Sequence, residues 1–192
     1  MYRLRDYWTY RALVAGKNYV GPGSHADLTE AQGEEFEEAL RGRLGRSRLL
    51  LDFGCGSGRF SRYLSSFTEA YLGVDISSVG IDQARRAEPD LHFLWLPLDR
   101  IELPKGVVDT VVAITVLQHI VAPGDLAVWG REIRRVLRPG RGRVYVIEQK
   151  AYVDEEPHEH VAPRIPEDLG DALGLKIRKV ESLSEHWLGV YR

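Results

Sequence analysis

From residue 46 onward the chain alternates between two hydrophobic rhythms. Short apolar runs at 49–53, 70–76, 91–98 and 107–117 have the length of strands, and a fifth at 143–148 alternates apolar with polar positions. The continuous runs, above all the valine-rich 107–117, predict strands buried on both faces. Helix signals lie between them. The first crossover helix is expected at 59–66. A second starts at a cap on Ser77 or Ser78, runs to Ala87 and is closed by Pro89. A third runs from Pro123 to Leu137 and stops at Arg138-Pro139-Gly140. Strands and helices alternating at this spacing predict βαβ units and a parallel sheet.

The rhythm changes near the end. Pro166 opens a short helix that Gly174 ends, and two strands follow at 175–183 and 186–191. Their link is too short for a parallel crossover, so they must pair antiparallel. At the other end, Tyr2, Tyr7, Trp8, Tyr10 and Tyr19 form an aromatic cluster. Asp27-Leu28-Thr29-Glu30 then has the shape of a capping box. The helix behind it sets Phe36 and Leu40 on one face, with Leu44 one turn further.

The length of 192 residues fits one domain over 1–192, with an N-terminal helical cover at 1–45 and an α/β core at 46–192. A hydrophobic content of 44% is ample for a core. The net charge of -2 gives no electrostatic footprint for nucleic acid. The single cysteine cannot form an internal disulfide and fits a reducing compartment. No apolar signal-peptide region follows the N-terminus, and no run approaches the roughly 20 apolar residues that span a bilayer. The expectation is a cytoplasmic chain with no membrane and no nucleic-acid partner.

The chemistry gathers at residues 52–58, Asp-Phe-Gly-Cys-Gly-Ser-Gly, where an apolar run ends in an acid and glycines recur at alternate positions. This reads as strand, tight turn and helix start, the place where open α/β sheets bind ligands. The register excludes a dinucleotide fingerprint, because the G-x-G-x-x-G pattern would need glycine where Arg59 stands if counted from Gly54, or Gly or Ala where Ser61 stands if counted from Gly56. No Gly-Lys-Ser/Thr follows, which excludes a P-loop. Asp52 would repel a diphosphate and suits a ligand with positive charge.

In this form the segment resembles the first motif of the class I S-adenosylmethionine-dependent methyltransferases (the type 11/25-like domain). Other markers follow in order: Asp75 ending the second strand, Leu98-Asp99 after the third, Asp109 to Ile120 ending in Leu-Gln-His-Ile, and Leu137-Arg138-Pro139-Gly140 before the fifth. Arg141 stands where the family usually has another glycine. The resemblance covers about 45–192. It implies a doubly wound, mostly parallel seven-stranded sheet, Rossmann-like, with a C-terminal antiparallel hairpin. It also implies S-adenosyl-L-methionine as cofactor and S-adenosyl-L-homocysteine as product.

Carried over residue by residue, the resemblance places the cofactor against Asp52, Gly54, Cys55, Gly56 and Gly58. Asp75 would accept the ribose hydroxyls, Ile76 would face the adenine, and Leu98 and Asp99 would meet the adenine edge. Carbonyls near Ile114 and Thr115 would receive the methionine ammonium. His119, with Gln118 beside the transferable methyl, is the candidate general base; it can equally order the loop. A base is needed only where the acceptor is protonated, because the transfer depends chiefly on alignment. Cys55 lacks an activating base and is not a nucleophile. His158, His160 and Arg164, with Tyr10, Lys17 and Tyr19 from the cover, are candidate acceptor contacts. The His-x-His at 158–160 lacks further ligand spacing, so no metal is expected. The expected reaction is O- or N-methylation of a small molecule by a monomer or homodimer. The alternatives are a protein or RNA methyltransferase, or a silent cofactor-binding subunit.

Overall fold

A computed structural model of the chain describes residues 2–15, 29–96, 100–150 and 161–192. Among the described residues, seven strands make a mostly parallel α/β sheet of the Rossmann-like type, closed by antiparallel strands at the C-terminus. The chain divides into two compact units, residues 1–98 and 99–192.

In the first unit, β1 (Ser47–Phe53), β2 (Thr68–Asp75) and β3 (His92–Trp95) run parallel in the order β3-β2-β1. Leu51 lies beside Leu72 and Asp52 beside Gly73 in the β1–β2 register. Leu50 and Leu51 are fully buried, as their continuous apolar run predicts. α1 (Tyr2–Ala15) comes first, and α2 (Glu30–Arg41) next. The capping box of α2 sits two residues later than the sequence pattern implies. Thr29 is the cap, and its partner is Gln32: Gln32 N–H donates to Thr29 Oγ1 at 3.2 Å, and Thr29 N–H to Gln32 Oε1 at 2.9 Å. Phe36 and Leu40 are the fully buried residues of this helix's inner face. The crossovers are the single-turn α3 (Ser61–Ser65) and α4 (Ser78–Ala87), the latter capped by Ser77.

The second unit holds β4 (Thr110–Ile114), β5 (Arg143–Gln149), β6 (Ile177–Ser182) and β7 (His186–Tyr191) in the order β4-β5-β7-β6. β4 and β5 are parallel, and β7 is antiparallel to both of its neighbours. α5 (Pro123–Val136) and α6 (Pro166–Leu173) complete it. α6 closes on Gly174 in the left-handed conformation, as the sequence predicts. The two helices meet at Gly130, where a Cβ would lie 2.3 Å from the carbonyl oxygen of Ala172. β4 is half the length that its apolar run implies. It stops at Ile114 because Thr115 turns left-handed, with φ of 54°.

Candidate functional site

The loop after β1 is tied to the end of β2. Gly54 N–H and Cys55 N–H both donate to Val74 O, at 2.8 and 3.1 Å. Gly54, Gly56 and Gly58 have φ of 81°, 55° and 87°. A side chain would be strained at each, and Gly58 shows the second constraint: a Cβ there would sit 3.2 Å from the Ala84 Cβ and 3.3 Å from Ser61 Oγ. The loop is therefore backbone drawn close to α4.

Asp75 fixes this loop. Its Oδ2 accepts Gly56 N–H at 2.9 Å and its Oδ1 accepts Ser77 N–H at 2.7 Å. Each oxygen keeps lone-pair capacity, and the residue is partly exposed. Burial raises its carboxyl above the ordinary range against the pull of the Ser77 and Gly56 amides. Ile76 is half-buried beside it, and its carbonyl accepts the Trp95 indole N–H at 2.9 Å.

Asp52 is placed differently. It is only 4% exposed. Its Oδ2 accepts the Tyr71 hydroxyl at 2.6 Å, and that phenol oxygen lies 2.6 Å from Ser61 Oγ. Burial pushes Asp52 up to about 7, opposed by the Tyr71 hydrogen bond and reinforced by Asp75. Cys55 is also buried, and its thiol is pushed upward, first by burial and then by the Asp52 and Asp75 charges. That is the opposite of an activated nucleophile.

In the second unit, the turn after β4 is built around a carboxylate that the sequence reading omitted. Glu148, at the end of β5, is fully buried. Its Oε1 accepts Val116 N–H at 3.1 Å and Leu117 N–H at 2.8 Å; its Oε2 accepts Gln118 N–H at 3.0 Å. Burial raises its carboxyl to about 7 despite those amides and the Arg164 charge. The turn starts at Thr115, whose N–H donates to Ile147 O at 2.7 Å. A left-handed threonine costs on the order of 1–3 kcal/mol, held by its surroundings. The turn then closes as a short 3-10 helix at Leu117–His119.

Gln118 ties its own turn to β5 and to the chain at Ala162. Its Oε1 accepts Gln149 N–H at 2.8 Å, and its backbone carbonyl accepts Ala162 N–H at 2.7 Å. Its Nε2 lies 3.4 Å from His119 Nε2. Because the amide oxygen is occupied by Gln149, its nitrogen donates, and the facing imidazole nitrogen accepts. This arrangement suits the His119 tautomer that carries its proton on Nδ1. His119 is 5% exposed.

Arg164 does not point away from this turn as a free cation: its guanidinium donates to Ile120 O at 2.9 Å. Tyr10 is exposed on α1. Leu98, Asp99, Lys17, Tyr19, His158 and His160 lie outside the described residues. Among the described residues no group of three His, Cys, Asp or Glu could hold a metal ion, and no helix is long and apolar enough to cross a membrane.

A family model described as a methyltransferase domain matches residues 51–146, from the end of β1 through β5. The chain belongs to this family. It is a class I S-adenosylmethionine-dependent methyltransferase domain, and S-adenosylmethionine is its cofactor. This methyltransferase domain is 32% identical over 133 residues to the biotin biosynthesis bifunctional protein BioHC of Cellvibrio japonicus, covering 68% of the chain and 25% of that protein. It is 32% identical over 116 residues to the malonyl-[acyl-carrier protein] O-methyltransferase of Salmonella typhimurium, covering 60% of the chain and 44% of that enzyme. The chain thus spans a quarter to less than half the length of these relatives. Among solved structures, the DhpI–SAH complex aligns with a TM-score of 0.76 at 20% identity, covering 98% of this chain and 94% of that one. That likeness supports the methyltransferase fold.

Proposed function

We propose that the domain transfers a methyl group from S-adenosylmethionine to an oxygen or nitrogen of a small-molecule acceptor. The observation that carries the donor half is Asp75: both carboxylate oxygens are oriented by backbone amides, and both can accept further hydrogen bonds. That is the chemistry a ribose diol requires. Gly54, Gly56 and Gly58 let the backbone approach the ligand, and Ile76 offers an apolar face for the adenine. The relatives named as O-methyltransferases support oxygen as the acceptor atom.

S-adenosylmethionine supplies a methyl on a sulfonium, with a neutral leaving group. The chain's own work is to hold the reactants in line, which can lower a barrier by about 7–11 kcal/mol. Asp52 acts from beneath the loop through Tyr71, since it is buried and hydrogen-bonded away from the surface. We infer that His119 orders the turn, because its Nε2 lone pair is taken by Gln118. His119→Ala is then expected to lower turnover while leaving the shape of the pH–rate profile intact. Loss of a basic limb near neutrality would return His119 to the role of proton acceptor.

Calorimetry with S-adenosylmethionine and S-adenosylhomocysteine tests the donor: binding of both is expected, and binding of neither overturns the proposal. Release of S-adenosylhomocysteine with a panel of hydroxyl, carboxyl and amine small molecules tests the acceptor. Release only with protein or RNA present would assign the domain a macromolecular acceptor. No release with any acceptor would leave a cofactor-binding subunit.

A further inference from the structure

We propose that Glu148 is a positioning residue for methyl transfer: its buried carboxylate sets the backbone of the 115–118 turn so that the turn's carbonyls meet the amino-acid end of S-adenosylmethionine. This rests on the reading that S-adenosylmethionine is the donor and that the turn receives its ammonium group.

The turn cannot set its own shape. Val116, Leu117 and Gln118 open a three-residue 3-10 helix, so their N–H groups have no intrahelical partners. Just before them, Thr115 holds a left-handed φ of 54°, a conformation that threonine leaves when nothing enforces it. Glu148 satisfies all three consecutive amides from the neighbouring strand, two on Oε1 and one on Oε2. β5 pairs with β4 in a fixed register, Ile147 beside Ile114, so the carboxylate is delivered one residue beyond the end of β4. Ile147 O accepts Thr115 N–H, which brackets the left-handed residue between two contacts from the same strand. The carbonyl directions of Ile114 and Thr115 depend on those bonds. Charged or titratable groups around Glu148 include Arg164 beyond the turn, His119 within it, His186 on β7, and Tyr191 on β7, whose phenol is pushed upward first by burial and then by this carboxylate.

No other acid can substitute. Aspartate is one methylene short. Glutamine keeps the size and one acceptor oxygen but turns an NH₂ toward at least one of the three amides. Two donors then face each other in a dry site, and the turn must move to separate them.

The discriminating experiment uses two ligands that share the adenosine. S-adenosylhomocysteine carries the amino-acid end; 5′-methylthioadenosine lacks it. In Glu148→Gln, the dissociation constant for S-adenosylhomocysteine is expected to rise about tenfold or more, the scale of one charged hydrogen bond, while that for 5′-methylthioadenosine changes by less than about twofold. Equal weakening of both ligands, or no change in either, overturns the positioning role and leaves the donor reading standing. If the unmutated protein binds neither ligand, the donor reading itself fails and this proposal falls with it. A measurement on the unmutated protein covers the case in which the variant does not fold. The amides of Val116, Leu117 and Gln118 are expected to exchange with deuterium as slowly as those of β4. Exchange at the rate of an open loop overturns the clamp.

Discussion

Tyr71 Oη donates to Asp52 Oδ2 at 2.6 Å, and the phenol proton is thereby spent, so Ser61 Oγ, 2.6 Å away, is the donor to Tyr71. A chain of hydroxyls thus ends on a carboxyl at the floor of the glycine loop. Tyr71→Phe removes the last donor while keeping the ring against Phe93. The expected loss is about 1–3 kcal/mol of stability, read from chemical denaturation. A loss under about 0.5 kcal/mol would show that water replaces the phenol.

Asp52 and Glu148 also set how stability responds to pH. Burial raises Asp52 from 3.8 to about 7, and Glu148 from 4.5 to about 7. Between those limits the folded protein holds protons that the unfolded chain has released. The stabilisation is therefore complete below the unfolded values and is lost as pH rises through about 7. Each group contributes a fall of at most about 1.4 kcal/mol per pH unit. Denaturant midpoints of the ligand-free protein are expected to decline from pH 5 to pH 8, and a rise over that range would refute the assignment. The ionised Glu148 that best serves three amides is also the form that burial penalises.

Gly58→Ala tests the loop directly. The backbone there has φ of 87°, and the new Cβ would press on Ala84 and Ser61. A destabilisation of more than about 1 kcal/mol is expected, with a steep loss of S-adenosylhomocysteine affinity, measured by thermal melting and calorimetry.

Asp75→Asn separates the nucleoside end from the amino-acid end. One of the two amides now held by Asp75, Gly56 N–H or Ser77 N–H, would face an NH₂. Affinities for S-adenosylhomocysteine and 5′-methylthioadenosine are expected to fall together by about tenfold, because both carry the ribose. Loss of S-adenosylhomocysteine alone would move Asp75 away from the ribose.

The parts of this protein that periodicity could reveal are those governed by local burial. β7 spans the 186–191 that its sequence predicts, and Ser77, one of the two candidate serines, caps α4. The apolar run at 107–117 misleads because burial continues past the strand. Leu117 is as buried as Val112, yet it lies in a 3-10 turn. The left-handed Thr115 that separates them has no compositional mark, since its conformation is imposed by partners on β5. The candidate site residues split in the same way. Asp75 follows from its place at a strand end beside a glycine loop. Tyr71 and Glu148 sit in strands as ordinary members, and only their facing partners, Asp52 and the 116–118 amides, give them a role. Glu148 did leave one signal: an acid closing an apolar strand of a parallel sheet, where an unpaired charge is too costly to keep.

Gln118 has a consequence for how this scaffold can be varied. Its side chain holds Gln149 and its carbonyl holds Ala162, so two points of the chain are moored to one residue. Closing a longer span between fixed moorings adds only about 0.6 kcal/mol for each doubling of its length. A segment of different length joined to these two moorings is expected to leave the Gln118 turn and β5 in place.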